Sequence, residues 1–196
     1  ASFWSKGYRA VMLTDSAFFR NPHYHLPSDT MQTLDLEYMA ELVNTMLEAV
    51  PTAFQNRDFK EISQVHDQVV VLREAILHYL QQVGRENMTD IESVELAQLV
   101  SATSEIESIS AVIGREFVPL AEIFKQEDLT ASETTGNLLE KHYKATRETA
   151  RAGLRAIVEK DERAAQDVVA NRDELWKLGN ELLMRQAARL AKDDPQ

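Results

Sequence analysis

Cysteine is absent from this chain of 196 residues. A chain without cysteine forms no disulfide, no thiolate nucleophile and no cysteine-ligated zinc site, and its composition is compatible with a reducing compartment. Glycine is also scarce, since the six glycines are isolated from one another and form no phosphate-binding loop. Chemistry in this chain would therefore depend on carboxylate and imidazole groups.

Basic residues are too few to balance the acidic ones. The 21 Lys and Arg residues face 32 Asp and Glu residues, which gives a formal net charge of −11. A protein that binds nucleic acid needs clustered Lys and Arg to neutralise phosphates, whereas a polyanion would mostly repel this chain. We therefore expect no nucleic acid partner.

Long apolar runs are missing as well. The longest are short pieces such as VVVL at 69–72, whereas a helix that crosses a bilayer needs about 20 apolar residues. The opening ASFWSKGYRAVML lacks the basic start and the long apolar core of a signal peptide. We expect the protein to be cytoplasmic, a location that includes the inner face of the membrane. We expect no membrane-spanning segment in this chain.

The composition changes near residue 35. Residues 1–35 carry three basic and three acidic side chains, so the whole excess of negative charge lies in residues 36–196. Six of the 14 aromatic residues lie in the first 35 positions. This contrast predicts two parts with different structures.

The longer part, residues 36–196, has the apolar spacing of amphipathic helices almost throughout. Five helices are predicted, joined by short connections that favour an antiparallel bundle. Asp35 is the expected N-cap of the first helix, Gly84 the C-cap of the second, and Pro119 a late kink in the third. Two capping boxes are predicted to open the third and fourth helices: Thr89 with Glu92, and Thr130 with Glu133.

An internal repeat accompanies this pattern. A shift of 103 residues places Ala53 on Ala156 and Asp58 on Asp161, so that both copies have a basic residue and Asp in a turn between two helices. The same shift aligns further apolar positions: Val65 with Val168, Leu72 with Leu175, and Leu80 with Leu183. Helical period alone is the alternative explanation, and the aligned turn favours a true repeat.

The first 35 residues contain one strand candidate, 9–14, followed by an irregular loop. This segment resembles the C-terminal end of the two-zinc metallo-aminopeptidases, in which a final strand leads to a Tyr-His pair. The matching residues here are Tyr24 and His25, followed by Pro27, Asp29 and Thr30. The resemblance implies that His25 corresponds to the last zinc ligand and is vestigial, because the other ligands and the catalytic base lie upstream in that family. Zinc is expected only under this interpretation.

Residues 36–196 resemble the PhoU-like helical domain at the cytoplasmic C-terminus of bacterial sodium/phosphate cotransporters. The similarity is carried by 39–80, by SEIESISAVIGREFVPLAE and by GLRAIVEKDERAAQDVVANRDELW. It implies two three-helix units, the second of them incomplete because the family has a sixth helix. The fold class expected for the whole chain is therefore an all-α antiparallel bundle, preceded by a short strand-and-loop remnant of an α/β peptidase.

PhoU-type domains can bind metal through acidic pairs four residues apart on one helix face. This chain departs from that spacing at each equivalent position, and we carry over no metal ligand. The positions are occupied by His66 and Val70 with Asp67 beside them, by Glu107 with Ala111, and by Trp176 where a second acid is expected.

The leading hypothesis is a regulatory domain in phosphate transport, without catalytic residues or a cofactor. It would contact a membrane transporter domain or a second copy through helix faces. The alternatives are a fragment of a zinc-dependent aminopeptidase with a helical appendage, and a chimeric reading frame whose two parts have no joint function.

Overall fold

The structure is a computed structural model that describes residues 36–85 and 88–190. The chain divides into two units, residues 1–35 and 36–196, and only the second is described here. The predicted strand 9–14, the zinc-ligand position His25 and the N-cap Asp35 all lie outside the described residues.

The described part of the chain is helical, and its connections are short. Its elements are α1 (Leu36–Asn56), α2 (Lys60–Val83), α3 (Asp90–Ala111), a π-helical segment (Val112–Phe117), α4 (Val118–Gln126), α5 (Glu133–Val158) and α6 (Glu162–Leu190). Because α3, the π-helical segment and α4 follow one another without a break, they form one rod. The five expected helices of an all-α bundle are therefore confirmed for these residues.

The core forms mainly between α1, α2 and α3. The apolar stripe of α1 is buried as its spacing predicts, and the helix continues through Pro51 before it ends at Asn56. Ile62 and Leu80 of α2 and Ile106 of α3 complete this core. The fully buried positions of α1 include Met39, Val43 and Met46.

The π-helical segment lies just before Pro119. Its last turn is closed by a hydrogen bond from the Val118 N–H to the Ile113 carbonyl, five residues back. Pro119 has no N–H to donate and its ring would clash with the carbonyl four residues earlier in an α-helix. The wider π turn accommodates this, so the disturbance that Pro119 predicts lies N-terminal to the proline.

The two turns that the repeat aligns have the same backbone conformation. Arg57 and Lys160, which are 103 residues apart, both have φ of 54° in the left-handed region. The following aspartates both cap the next helix: Asp58 accepts from the Lys60 N–H, and Asp161 accepts from the Arg163 N–H. The similarity of the two turns in sequence is thus matched in their local geometry.

The predicted helix caps are partly confirmed. Thr89 and Glu92 form the expected capping box, with the Thr89 N–H donating to Glu92 Oε2 over 2.8 Å. The box predicted for Thr130 with Glu133 is wrong, because α5 begins at Glu133 with Ser132 as its N-cap residue. The Ser132 hydroxyl is engaged by Thr135 and by Arg189 of α6.

Polar contacts attach α5 to α1. The Tyr143 hydroxyl donates to the Leu47 carbonyl, and burial raises the pKa of this phenol. Glu48 pairs with Arg151 at 2.9 Å and with Arg147 at 3.3 Å. In contrast, α6 packs mainly on α5, so the last two helices form a hairpin held to the core through α5.

The first turns of α3 lie outside the core, although their apolar residues fit the predicted stripe. Ile91 is 80% exposed and Val94 is also exposed. Leu96 contacts the end of α2 beside Gly84, so residues before Leu96 extend past the partner helix. Among the described residues, no helix has both the length and the apolar character needed to cross a bilayer.

Candidate functional site

A buried polar contact joins α2 to α3. His66 Nδ1 lies 2.7 Å from Ser110 Oγ, and the Ser110 hydroxyl donates to Met46 Sδ of α1 over 3.5 Å. The serine hydroxyl carries a single proton, so the tautomer of the imidazole decides which of the two groups donates across the 2.7 Å contact. The three helices of the core therefore meet at one chain of hydrogen bonds.

The π-helical segment brings backbone against the imidazole. A Cβ added to Gly114 would lie 2.4 Å from His66 Cγ, which is far inside van der Waals contact. Only a residue without a side chain fits at this position. The π segment and the histidine are thus fitted to each other, and π turns of this kind are frequent at functional sites.

An ion-pair cluster lies next to the imidazole. Glu107 is largely buried and faces two arginines: Arg115 at 3.4 Å and Arg73 at 3.8 Å. Arg115 belongs to the π-helical segment and Arg73 to α2. The Glu107 carboxylate thus forms ion pairs with both α2 and the π-helical segment. It lies one turn of α3 before Ser110.

Burial lowers the pKa of His66 below its usual value, and the nearby Arg115 guanidinium adds to this effect. The carboxylates of Asp67 and Glu107 act in the opposite direction and do not overcome it. This shift favours the uncharged form of the imidazole at neutral pH. A neutral ring suits the single hydrogen bond to Ser110.

A hydrogen-bonded serine and histidine is also the arrangement that nucleophilic enzymes use. Here Ser110 has no exposed surface and His66 is 7% exposed. A substrate would reach the hydroxyl only if α2 and α3 separated. The geometry therefore favours a structural role, in which a satisfied buried polar pair fixes the register of two helices.

The metal-site positions singled out in the sequence have other roles in the structure. His66 bonds Ser110 and Glu107 bonds arginines, while Trp176 is largely exposed on α6. Within residues 36–85 and 88–190, no group of three or more His, Asp or Glu side chains is placed to hold a metal ion.

Two residues of the cluster were missed by sequence reasoning. Ser110 gave no signal, because a serine in a helical pattern is most simply a surface residue. Gly114 had a weak signal, since an isolated glycine inside a helical pattern five residues before Pro119 can mark a close approach. Its contact with His66, 48 positions away, requires the folded structure.

Comparisons with known proteins give little further identification. No family model matches the chain, and no solved structure matches it. A stretch of 46 residues is 41% identical to the uncharacterized protein YfbL of Escherichia coli (strain K12). That stretch is 24% of this chain and 14% of YfbL, so the chain matches about one seventh of that relative's length.

Proposed function

We propose that residues 36–196 form a PhoU-like regulatory domain that acts in sodium-dependent phosphate transport by helix-face contact with a membrane transporter domain. The observation that carries this proposal is that polar groups are buried in the core while large apolar side chains are exposed on the surface. The pair His66 and Ser110 is enclosed and hydrogen-bonded, whereas large apolar side chains lie on the outer faces of helices. Such a surface favours binding over catalysis.

The start of α3 is the part of this surface best placed for a partner helix. Ile91 is 80% exposed and Val94 58% exposed, and a spacing of three residues puts both on one face. Within the part of the chain that the structure describes, they extend past the end of α2 and no neighbour covers them. Exposed apolar patches rimmed by charged residues mark interaction surfaces, and this pair lies among Asp90, Glu92 and Glu95.

Transport measured in proteoliposomes tests this proposal. The vesicles would contain the membrane part of a bacterial sodium/phosphate cotransporter from which its own helical domain has been deleted. We expect the full chain to bind these vesicles in flotation and to change sodium-dependent uptake of radiolabelled phosphate. The variant Ile91→Glu with Val94→Glu should lose both effects.

A matched control adds the same two charges elsewhere. Ala75→Glu with Gln81→Glu alters exposed positions of α2 and should keep binding and its effect on uptake. The proposal fails if the full chain neither binds nor changes uptake. It also fails if the Ile91 and Val94 variant behaves like the control.

The aminopeptidase alternative stays a prediction, because His25 lies outside the described residues. It predicts zinc-dependent hydrolysis of an aminoacyl-p-nitroanilide by the purified chain. Turnover that His25→Ala abolishes would replace the regulatory proposal with an enzymatic one.

A further inference from the structure

One face of α6 carries large apolar side chains that the described fold leaves uncovered. Val169, Trp176 and Leu183 are 69%, 68% and 63% exposed. Because they are seven residues apart they share one helix face, over a length of about 21 Å. We call these three residues the α6 stripe.

The α6 stripe is separate from the contact with α5. Ala164, Leu175 and Leu182 lie on another side of α6, where they are buried or half-buried. This side is the one that packs in the α5–α6 hairpin. The α6 stripe therefore has no partner among the described residues.

The internal repeat indicates that this face of α6 is suited to pack against an antiparallel helix. A shift of 103 residues places the α6 stripe on His66, Arg73 and Leu80 of α2. His66 and Arg73 contact Ser110 and Glu107 of α3, which runs antiparallel to α2, and Leu80 is buried. The α6 stripe thus occupies the positions where α2 receives an antiparallel helix, with Val169 and Trp176 in place of the polar His66 and Arg73.

We propose that a second copy of this chain supplies that helix, so that two α6 helices pack antiparallel about a two-fold axis at Trp176. The α6 stripe is self-complementary in this arrangement. Val169 of one copy lies opposite Leu183 of the other, and the two Trp176 rings meet at the axis. Such an interface is isologous, as in most homodimers.

The charges beside the stripe are complementary in the same arrangement. Asp173 and Lys177 lie on one edge of the stripe and, with Trp176 and Arg172, line a shallow open depression. Within one copy, Asp173 also pairs with the neighbouring Arg172 at 3.4 Å, with both side chains exposed. The two-fold axis brings Asp173 of each copy next to Lys177 of the other, within about one helical turn. Two equivalent ion pairs would therefore flank the tryptophans.

This inference does not rest on the proposed function. A single pair of helices buries less surface than a standard protein interface, so we expect association that depends on concentration in the micromolar range. Sedimentation and light scattering of the full chain should show monomer and dimer in equilibrium. A monomer at every concentration would overturn the proposal.

The central residue gives the first variant. Trp176→Glu should weaken the dimer at least tenfold while helix content stays unchanged, because the position is exposed within one copy. Val71→Glu adds the same charge at another exposed apolar position, on α2, and should leave the dimer intact. A dimer that survives Trp176→Glu would show that it forms elsewhere.

Charge exchange tests the predicted pairing. Asp173→Lys should weaken the dimer, because it places like charges opposite one another. Asp173→Lys with Lys177→Asp should restore it, because the exchanged pair is again complementary. Failure of the double variant to recover dimerisation would contradict the proposed register.

The orientation is tested by disulfide formation, which the absence of native cysteine makes clean. Trp176→Cys should cross-link to itself under mild oxidation. Val169→Cys alone should not, whereas a mixture of the Val169→Cys and Leu183→Cys proteins should form the mixed disulfide. Self-linking of Val169→Cys would indicate parallel helices and overturn the antiparallel arrangement.

Discussion

Gly114 and His66 approach so closely that a methyl group on the glycine would lie 2.4 Å from His66 Cγ. The glycine belongs to the π-helical segment and the histidine to α2. The contact joins the wide turn before Pro119 to the buried hydrogen bond with Ser110. The close packing of α2 against the π-helical segment therefore requires a residue without a side chain at position 114.

Gly114→Ala should destabilise the protein by about 1–3 kcal/mol, because the new methyl group overpacks against the imidazole. The matched control is Gly136→Ala in α5, where an added Cβ meets nothing within 4 Å. That change should stabilise the helix by about 0.5–1 kcal/mol. Urea unfolding of both variants measures the two effects, and equal signs would contradict the close contact.

A double-mutant cycle separates overpacking from loss of backbone freedom. In the His66→Ala background the imidazole is gone, so Gly114→Ala should cost much less than in the parent chain. If Gly114→Ala lowers the free energy of unfolding equally in both backgrounds, the methyl group clashes with something other than His66.

Stability should fall as the pH decreases from 7.5 to 5.5. The pKa of His66 is lowered in the folded protein, so the unfolded chain binds the proton more readily. The contribution of the neutral imidazole is complete above its ordinary pKa of 6.5 and is lost as the pH falls toward the lower folded value. Urea midpoints at both pH values measure the difference.

His66→Asn should reduce this pH dependence, because the amide can keep a hydrogen bond to Ser110 but does not titrate in this range. Equal slopes for the parent and His66→Asn would assign the pH dependence to other groups.

Lys160→Gly should stabilise the chain by about 1 kcal/mol. Lys160 has φ of 54°, a left-handed conformation that glycine adopts without the steric cost of a side chain. Arg57 has the same φ, but its guanidinium also pairs with Asp128 at 2.6 Å. Arg57→Gly should therefore gain less, and thermal unfolding of both variants gives the comparison.

Thr89→Ala should cost about 1 kcal/mol, because it removes the side chain that accepts the Glu92 N–H at the start of α3. Thr130→Ala is the informative control. Sequence alone predicts an equal loss there, whereas the structure places the N-cap of α5 at Ser132. A comparable loss from both variants would contradict the helix start that the structure assigns.

The fold was predictable where it depends on local pattern. Apolar spacing in α1 predicted its buried face, and Thr89 with Glu92 predicted the start of α3. The spacing failed at Ile91 and Val94, because burial there depends on where α2 ends relative to α3. Periodicity tells which residues share a face and not whether a neighbour covers that face.

The buried cluster was less predictable, because it depends on contacts between distant parts of the chain. His66 and Glu107 drew notice as departures from a metal-binding spacing, and their actual partners are Ser110, Arg73 and Arg115. None of these pairings has a local signature in the sequence. Gly84 did end α2 as expected, but with φ of −65° it is not in the left-handed conformation that usually favours glycine there.

The π-helical segment Val112–Phe117 also sets the directions in which the side chains of α3 and α4 point around their common helix axis. A turn closed over five residues holds one residue more than an α turn, and each residue advances the helix by about 100°. Side chains of α4 therefore point in a direction rotated by about that angle from an uninterrupted α3. With this rotation, the ring centroids of Phe124 and Phe54 are 6.4 Å apart. Deletion of one residue within the segment would therefore turn Phe124 away from Phe54.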